Sequence, residues 1–211
     1  DATKDQSYVL FGAKKERVGE MMLPIGHLQK SEVRELAKSF DLPVFNKPDS
    51  QEICFVPDDN YSNLINKRVP GSLVEGDVLD VEGNVIGKHQ GQQKFTIGQR
   101  RGLGIASPKP LYVVKKDPVL NTVTIGGEAM LDTHRVFARE QNWLIDESVE
   151  WIPCVAKIRY NTDPASGRVR NINGKLEVEF DEPQRGGAAG QAVVCYQDTK
   201  VICGGWITEV S

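Results

Sequence analysis

From about residue 70 onward, apolar and polar residues alternate in short runs, which is the pattern of half-buried β-strands. One run separates into two strand faces: Cys154, Ala156, Ile158 and Tyr160 on one, and Val155, Lys157 and Arg159 on the other. Asn173-Gly174 predicts a two-residue hairpin turn ahead of another strand. The residues expected to face inward there are Leu176, Val178 and Phe180, and those expected to face outward are Glu177 and Glu179. With further runs at 191–196 and 200–203, this set of short strands predicts a small closed barrel.

The middle of the chain carries a second β-rich region. Apolar runs at 78–81 and 85–86 flank Glu82-Gly83-Asn84, which predicts a β-hairpin. Two further strands are predicted at 111–114 and 122–125. We therefore expect a small sheet here, separate from the barrel.

The first 60 residues have a mixed α/β pattern. One apolar helix face is formed at i, i+3, i+4 and i+7 by Val33, Leu36, Ala37 and Phe40. We expect Ser31 to cap this helix and residues 41–43 to end it. Thr3 and Gln6 predict a capping box for an earlier helix, and the short runs 21–26 and 44–45 predict strands.

These patterns predict an α+β, mostly β chain in three parts. Residues 1–60 would be part of an incomplete α/β domain, because one or two αβ units are too few to complete such a sheet. Residues 61–133 would form a small β-rich central domain, and residues 134–211 a C-terminal β-barrel. The chain starts without Met and runs directly into structured-looking sequence, so we expect it to be a fragment.

Composition places the chain among ordinary globular proteins. It has 211 residues, 39% hydrophobic and 26% charged, with a net charge of −3. No apolar run approaches the roughly 20 residues that span a bilayer, and no signal peptide is visible. Four unevenly spaced cysteines without a Cys-x-x-Cys pair favour a reducing, cytoplasmic setting over a disulfide framework or a zinc site.

Charge is distributed unevenly, however. Between Gly83 and Lys116 there is no acidic residue. The cations of that stretch are Lys88, Lys94, Arg100, Arg101, Lys109, Lys115 and Lys116, with His89 among them. Such a stretch forms either a phosphate-binding patch or a solvated ribbon without a partner.

Cys54 is the one candidate nucleophile. The three histidines are scattered without metal-ligand spacing, and no phosphate loop or serine nucleophile elbow is present. Gly102-x-Gly104 lacks the third glycine of a dinucleotide site. Cys54 lies in a turn-rich acidic loop, whereas the other cysteines lie within strand patterns and are expected in the core. Its alternative role is that of a small buried hydrophobe between Ile53 and Phe55.

Several motifs in order resemble one family. The two most specific are the block Asp49-Ser50-x-x-Ile53-Cys54-Phe55 and the block Thr96-Ile97-Gly98-Gln99-Arg100-Arg101-Gly102-Leu103-Gly104-Ile105. Shorter matches are Lys4-Asp5-Gln6-Ser7-Tyr8, Leu23-Pro24-Ile25-Gly26, His89-Gln90-Gly91, Arg159-Tyr160 and Gly190-Gln191-Ala192-Val193. Over nearly its whole length the chain resembles the tRNA-uridine 2-thiouridylases, which thiolate the wobble uridine of certain tRNAs.

The resemblance implies that residues 1–60 are the C-terminal part of an α/β ATP-pyrophosphatase-type catalytic domain. It also implies a mechanism and a set of site residues. In that family ATP adenylates the uracil, and a cysteine persulfide, charged by a sulfur-donor protein, then delivers sulfur. Cys54 matches the persulfide cysteine, which can form a disulfide with a first catalytic cysteine that does not appear here. The family's nucleotide loop does not appear either, so this chain alone is expected to be inactive. The matched tRNA-contacting residues are Lys4, Asp5, Gln6, Arg159, Tyr160 and Gln191.

Two departures from the family pattern concern the barrel. Trp206 stands where a glycine run usually continues, and residues 185–189 replace the usual sequence before Gly190-Gln191.

Two other functions remain open on the residues alone. One is a non-catalytic RNA-binding β-barrel, which has no need of the Cys54 motif. The other is a thiol redox protein, which is disfavoured because no second cysteine lies near Cys54 in the sequence. No metal site and no membrane association is expected.

Overall fold

The computed structural model describes residue 3, residues 5–47 and residues 61–211. Its helices are α1 (Ser7–Leu10), α2 (Lys15–Val18), α3 (Lys30–Ser39) and α4 (Tyr61–Arg68). Its strands are β1 (Gly76–Leu79), β2 (Val85–His89), β3 (Tyr112–Asp117), β4 (Thr122–Gly126), β5 (Asp132–Trp143), β6 (Ile152–Lys157), β7 (Ala165–Ile172), β8 (Lys175–Arg185), β9 (Ala192–Gln197) and β10 (Lys200–Val210). The predicted mostly β fold with few helices is confirmed.

Of the N-terminal helices, α3 forms where apolar periodicity predicts it, but its cap differs from the prediction. At α3 the capping box joins Gln29 and Glu32, and the Gln29 N–H donates to Glu32 Oε2 at 2.6 Å. The prediction of Ser31 as the cap is wrong because the helix starts one residue before it. The N-cap of α1 is Gln6, so the box predicted with Thr3 as its first residue does not start this helix. Instead, the Asp5 carboxylate accepts hydrogen bonds from the Ser7 N–H at 2.8 Å and the Ser7 hydroxyl at 2.7 Å.

Two short apolar runs predicted as strands are turns. The Gly26 N–H donates to the Leu23 carbonyl at 2.9 Å, and the Phe45 N–H donates to the Leu42 carbonyl at 3.1 Å. Within the described residues neither run has a neighbouring strand to pair with. Strand geometry leaves backbone groups unsatisfied without such a partner, whereas a turn satisfies them locally.

The central sheet has four strands in the order β2-β1-β4-β3. The predicted hairpin joins β1 and β2, and the Asp80 carboxylate closes its turn by accepting from the Asn84 N–H at 2.8 Å. β1 pairs in parallel with β4, which pairs antiparallel with β3. The core beneath the sheet combines strand valines with residues of the following loops: Val78, Val113, Val123, Ile125, Phe95 and Leu103.

The C-terminal strands close into a six-stranded barrel in the order β10-β5-β8-β7-β6-β9. This confirms the predicted closed barrel. Asn173 and Gly174, with φ of 52° and 76°, make the predicted hairpin turn between β7 and β8. The residues predicted to face inward are buried, and Cys154, Cys195 and Cys203 are free thiols within the same core.

Glu177 differs from the prediction that it faces outward into water. Its side chain is only 3% exposed, although it projects from the outer surface of the barrel. Arg170 covers it and donates to its carboxylate at 2.7 Å, and the Arg170 guanidinium lies 4.2 Å from the centre of the Trp151 ring. Strand alternation predicts only the side of the sheet, whereas long neighbouring side chains decide whether that position is covered.

The predicted domain boundaries, residues 1–60, 61–133 and 134–211, stay a prediction. Within the residues that the structure describes, no helix is both long and apolar enough to cross a membrane.

Candidate nucleic-acid interface

A cleft of about 880 Å³ opens where the N-terminal segment meets the barrel. Three parts of the chain line it: residues around α1, one residue of the central region, and barrel residues at strand ends. Its main side chains are Tyr8, Lys14, Thr96, Asn142, Gln191 and Trp206. Arg159 and Tyr160 also line it, so sequence positions more than 150 residues apart share this surface.

The N-terminal segment is fixed to the outside of the barrel. Phe11 is 5% exposed and packs over Gly204, where an added Cβ would lie 2.6 Å from the phenyl ring. Asn142 Nδ2 donates to the Phe11 and Ala13 carbonyls at 2.6 and 2.8 Å. The Tyr8 hydroxyl donates to the Ala192 carbonyl at 2.8 Å. Burial raises the pKa of Tyr8 to about 12, so this phenol keeps its proton.

Three of the predicted tRNA-contacting residues are adjacent in the structure. Gln6 Nε2 donates to the Tyr160 hydroxyl at 3.0 Å, and that hydroxyl lies 3.4 Å from the Asp5 carbonyl oxygen. Lys157 Nζ lies 5.9 Å from the centres of both the Tyr8 and Tyr160 rings. Tyr160 is 40% exposed and therefore offers part of its ring to the cleft.

Asp5 already has an internal role. The hydrogen bonds from Ser7, first from its N–H and then from its hydroxyl, hold the pKa of the Asp5 carboxyl below its usual value. The carboxylate is therefore ionised at neutral pH and shapes the start of α1.

Gln191 lies at the cleft, immediately before β9. Its side-chain oxygen Oε1 is buried and has no hydrogen-bond partner among the described residues. A buried acceptor without a donor is unfavourable by about 1–3 kcal/mol. This residue therefore has unused hydrogen-bonding capacity beside a cleft.

Arg159 follows β6 and donates to two carbonyls. Its Nε bonds to Gly186 at 2.7 Å and its Nη2 to Ile97 at 3.2 Å. The sequence pattern placed Arg159 on a strand face with Lys157, but β6 ends at Lys157. Arg159 therefore reaches across to the central region.

Sequence reasoning did not select Trp206, Tyr8 or Lys14. Trp206 is 45% exposed and stands edge-on to Phe11, with ring centroids 5.6 Å apart. The sequence singled out Trp206 only as a departure from the pattern that the resemblance implies. Tyr8 ends the matched motif Lys4-Asp5-Gln6-Ser7-Tyr8 but was given no role, and Lys14 lies in no motif. Their place in the cleft depends on how the segment docks.

The acid-free stretch contributes a second surface, the basic loop, which we define as residues 96–104. Arg100 and Arg101 are exposed there, and a hollow of about 340 Å³ lies between Arg100 and Lys109.

Two of the seven predicted cations are engaged elsewhere. Lys88 pairs with Asp77 at 2.6 Å, and Lys116 donates to the Phe95 carbonyl at 2.6 Å. Burial lowers the pKa of Lys116. The predicted patch is therefore smaller than the sequence indicated.

Comparison with known proteins gives three family matches in chain order. The tRNA methyl transferase HUP domain matches residues 1–58, the tRNA methyl transferase PRC-barrel domain matches residues 62–127, and the aminomethyltransferase beta-barrel domain matches residues 133–207. Similar curated proteins include the tRNA-specific 2-thiouridylases MnmA of Halothermothrix orenii, 44% identical, and Rickettsia canadensis, 45% identical. Each alignment covers 99% of this chain, and 59% and 58% of those proteins, respectively.

The chain belongs to the tRNA-specific 2-thiouridylase family. It spans about three fifths of the length of the relatives that it matches. The descriptions of the domain families mention methyl transfer, whereas the curated relatives are named for thiolation.

Two residues that the resemblance assigns to the site, Cys54 and Lys4, lie outside the described residues. The predicted disulfide of Cys54 is therefore not described by the structure. The cleft and the basic loop are the two surfaces that the described residues form near the remaining predicted site residues.

Proposed function

We propose that this chain is the tRNA-binding portion of an enzyme that replaces the C2 oxygen of the wobble uridine with sulfur. The observation that carries the binding role is the cleft shared by Tyr160, Gln191 and the segment holding Asp5 and Gln6. These residues were grouped by resemblance alone and come from both ends of the chain. The thiolation role rests on the family to which the chain belongs.

The cleft suits RNA with unstacked bases. Specific recognition of RNA uses exposed bases that stack on aromatic rings and present their edges to side-chain amides. Trp206 and Tyr160 offer partly exposed rings, and Gln191 offers an amide. Lys14 supplies positive charge at the cleft, where Glu140 is an opposing carboxylate. Exposed Arg100 and Arg101 of the basic loop would meet the phosphates.

Sulfur transfer is assigned to Cys54 on the resemblance. A persulfide on Cys54, charged by a sulfur-donor protein, gives its terminal sulfur to C2 of an adenylated uracil, and the C2–O bond breaks with loss of AMP. A second thiol of the enzyme cleaves the persulfide S–S bond, and the resulting disulfide with Cys54 must be reduced before the next cycle. ATP supplies the adenylate. We assign ATP no residue here, because the sequence contains no glycine-rich phosphate loop.

Binding is tested with the 211-residue chain and unmodified tRNA over a series of salt concentrations. We expect the affinity to fall steeply with salt, and Arg100→Glu or Arg101→Glu to weaken it and reduce the log–log slope by about 1. Lys200→Glu is the matched charge reversal, because Lys200 lies at the opposite end of the β9–β10 hairpin from Gln191. Salt-insensitive binding, or equal effects of all three reversals, would contradict the proposal.

Catalysis is tested in the full-length enzyme. Cys54→Ser should abolish formation of 2-thiouridine, measured by mass spectrometry of the tRNA, while tRNA binding persists, because serine cannot carry a persulfide. The 211-residue chain with ATP and sulfide should give no product. Normal turnover by the serine variant would exclude the assigned role of Cys54. Binding without any thiolation by the full-length enzyme would favour a non-catalytic RNA-binding module.

A further inference from the structure

The Arg159 side chain connects the barrel to the basic loop. Its Nε donates to the carbonyl of Gly186 in the barrel, and its Nη2 donates to the carbonyl of Ile97 in the basic loop. Each bond links a charged donor to a backbone carbonyl, which makes it stronger than a neutral hydrogen bond. Two of the five guanidinium N–H groups are thereby committed within the protein.

The guanidinium lies in a slot bounded by two glycines. A Cβ built on Gly186 would lie 2.7 Å from Arg159 Cζ, and one built on Gly98 would lie 3.4 Å from Nη2. Both glycines have positive φ, 83° and 86°. A larger residue at Gly186 would displace the guanidinium, so the backbone there is adapted to this side chain.

The start of the basic loop is internally fixed. The Gln99 amide bridges it, accepting from the Thr96 N–H at 3.0 Å and donating to the Arg101 carbonyl at 2.8 Å. The Gly98 N–H also donates to the Val113 carbonyl of β3 at 2.8 Å. Because these residues form one unit, an anchor at Ile97 also fixes where Arg101 is presented.

We propose that Arg159 is a positioning residue that holds the basic loop beside the cleft, so that one single-stranded RNA segment contacts both surfaces. Thr96, at the start of the loop, lines the cleft and makes the two surfaces continuous. The RNA would place its phosphates on Arg100 and Arg101 and an unstacked base in the cleft. This inference rests on the proposed function for its ligand, but the restraint on the loop exists without RNA.

The first experiment measures hydrogen exchange in the RNA-free chain. Arg159→Gln and Gly186→Ala should both raise amide exchange in residues 96–101, and the barrel amides should stay protected. Gly186→Ala leaves every charge unchanged, and its added methyl group displaces the Arg159 guanidinium. Gly174→Ala is its matched control, because Gly174 also has positive φ, 76°, but no atom of the described residues lies within 4 Å of its added Cβ. Unchanged exchange in residues 96–101 in both test variants would overturn the proposal.

The second experiment measures tRNA affinity in a double-mutant cycle. Arg159→Gln should weaken binding about tenfold, within the range for residues coupled in one network. In an Arg100→Ala/Arg101→Ala background the same change should have little further effect. An additive loss, with an unaltered exchange pattern, would identify Arg159 as a direct phosphate contact and overturn the positioning role. If the wild-type chain binds no tRNA, the proposed function fails, while the exchange experiment still tests the restraint.

Discussion

The barrel and the N-terminal helices bury their apolar residues in different ways. The barrel closes on itself, and its core residues, such as Leu176, Val178 and Val193, are fully buried. Among the described residues from 5 to 47, only Phe11 is buried, and it is buried against the barrel. The apolar side chains that stay most exposed there are Val9, Met22, Leu23, Phe40 and Val44.

This difference explains where the candidate site lies. A closed barrel has no free strand edge and supplies a rigid surface. Short helices such as α1 and α2 are marginal by themselves and become ordered by what they pack on. The cleft forms at the junction, where the docked segment places Tyr8 and Lys14 beside barrel residues.

Thiol labelling should show the largest contrast. Cys154, Cys195 and Cys203 are buried in the barrel, and contact with Cys195 together with burial raises the pKa of the Cys154 thiol. We expect them to react at least about 1,000-fold more slowly than Cys54, because labelling must wait for the barrel to open. Mass spectrometry should find one fast thiol in the native chain and four after denaturation. Fast labelling of a barrel thiol, or protection of Cys54, would contradict this division.

Matched leucine truncations compare the two regions directly. Leu176→Ala should lower the free energy of unfolding by about 2–5 kcal/mol, because it leaves a cavity in a closed core. Leu36→Ala removes the same atoms from a side chain that is 39% exposed, and should change stability by about 0.5 kcal/mol or less. Urea unfolding measures both when tryptophan fluorescence, which reports on the barrel, is combined with far-ultraviolet circular dichroism, which also reports on the helices. Similar losses would show that α3 is packed as firmly as the barrel.

Docking of the N-terminal segment depends on Phe11. Phe11→Ala should cost the segment about 1.5–3 kcal/mol of local stability, the value of burying a phenyl side chain. Hydrogen exchange should then increase in residues 7–13 and stay unchanged in the barrel. Val9→Ala is the control in the same segment, because Val9 is 61% exposed. Loss of barrel protection in Phe11→Ala would mean that the two regions unfold together.

The smallest contrast lies within the barrel, between two glutamates of β8. Glu177→Gln should cost about 1.5–3 kcal/mol, because a buried carboxylate loses its charged bonds to Arg170. Glu179→Gln should cost less, since its partners Arg168 and Arg135 are about half exposed. Thermal unfolding of both variants at neutral pH measures the difference.

The Glu179 effect should also depend on pH. Hydrogen bonds from Arg168 and Arg135 lower the pKa of Glu179 below its ordinary value of 4.5. Its stabilisation is therefore fully present above pH 4.5 and is lost as the pH falls through the lower folded-state pKa. Wild type and Glu179→Gln should converge in acid, and a difference that persists there would exclude the charge as its cause.

Local patterns in the sequence were sufficient for much of the fold. Period-two alternation predicted β6 and β8 and the buried faces carrying Ala156 and Leu176. Asn173-Gly174 predicted its hairpin because few residue pairs accept two positive φ angles. The helix α3 followed from apolar spacing. Its cap was placed wrongly because a glutamine can replace the usual serine when Glu32 completes the box.

Long-range contacts decided the rest. Resemblance grouped Gln6, Tyr160 and Gln191, but no local pattern indicates that residues 154 positions apart share a hydrogen bond. The burial of Glu177 and the anchoring of the basic loop by Arg159 likewise depend on side chains from other strands and loops. The sequence by itself determined which segments become strands and which faces are apolar, because both follow from neighbouring residues. The tertiary structure alone decided where the surfaces meet. Closing the barrel and docking a distant segment on it bring together residues that are far apart in the sequence and share no local pattern.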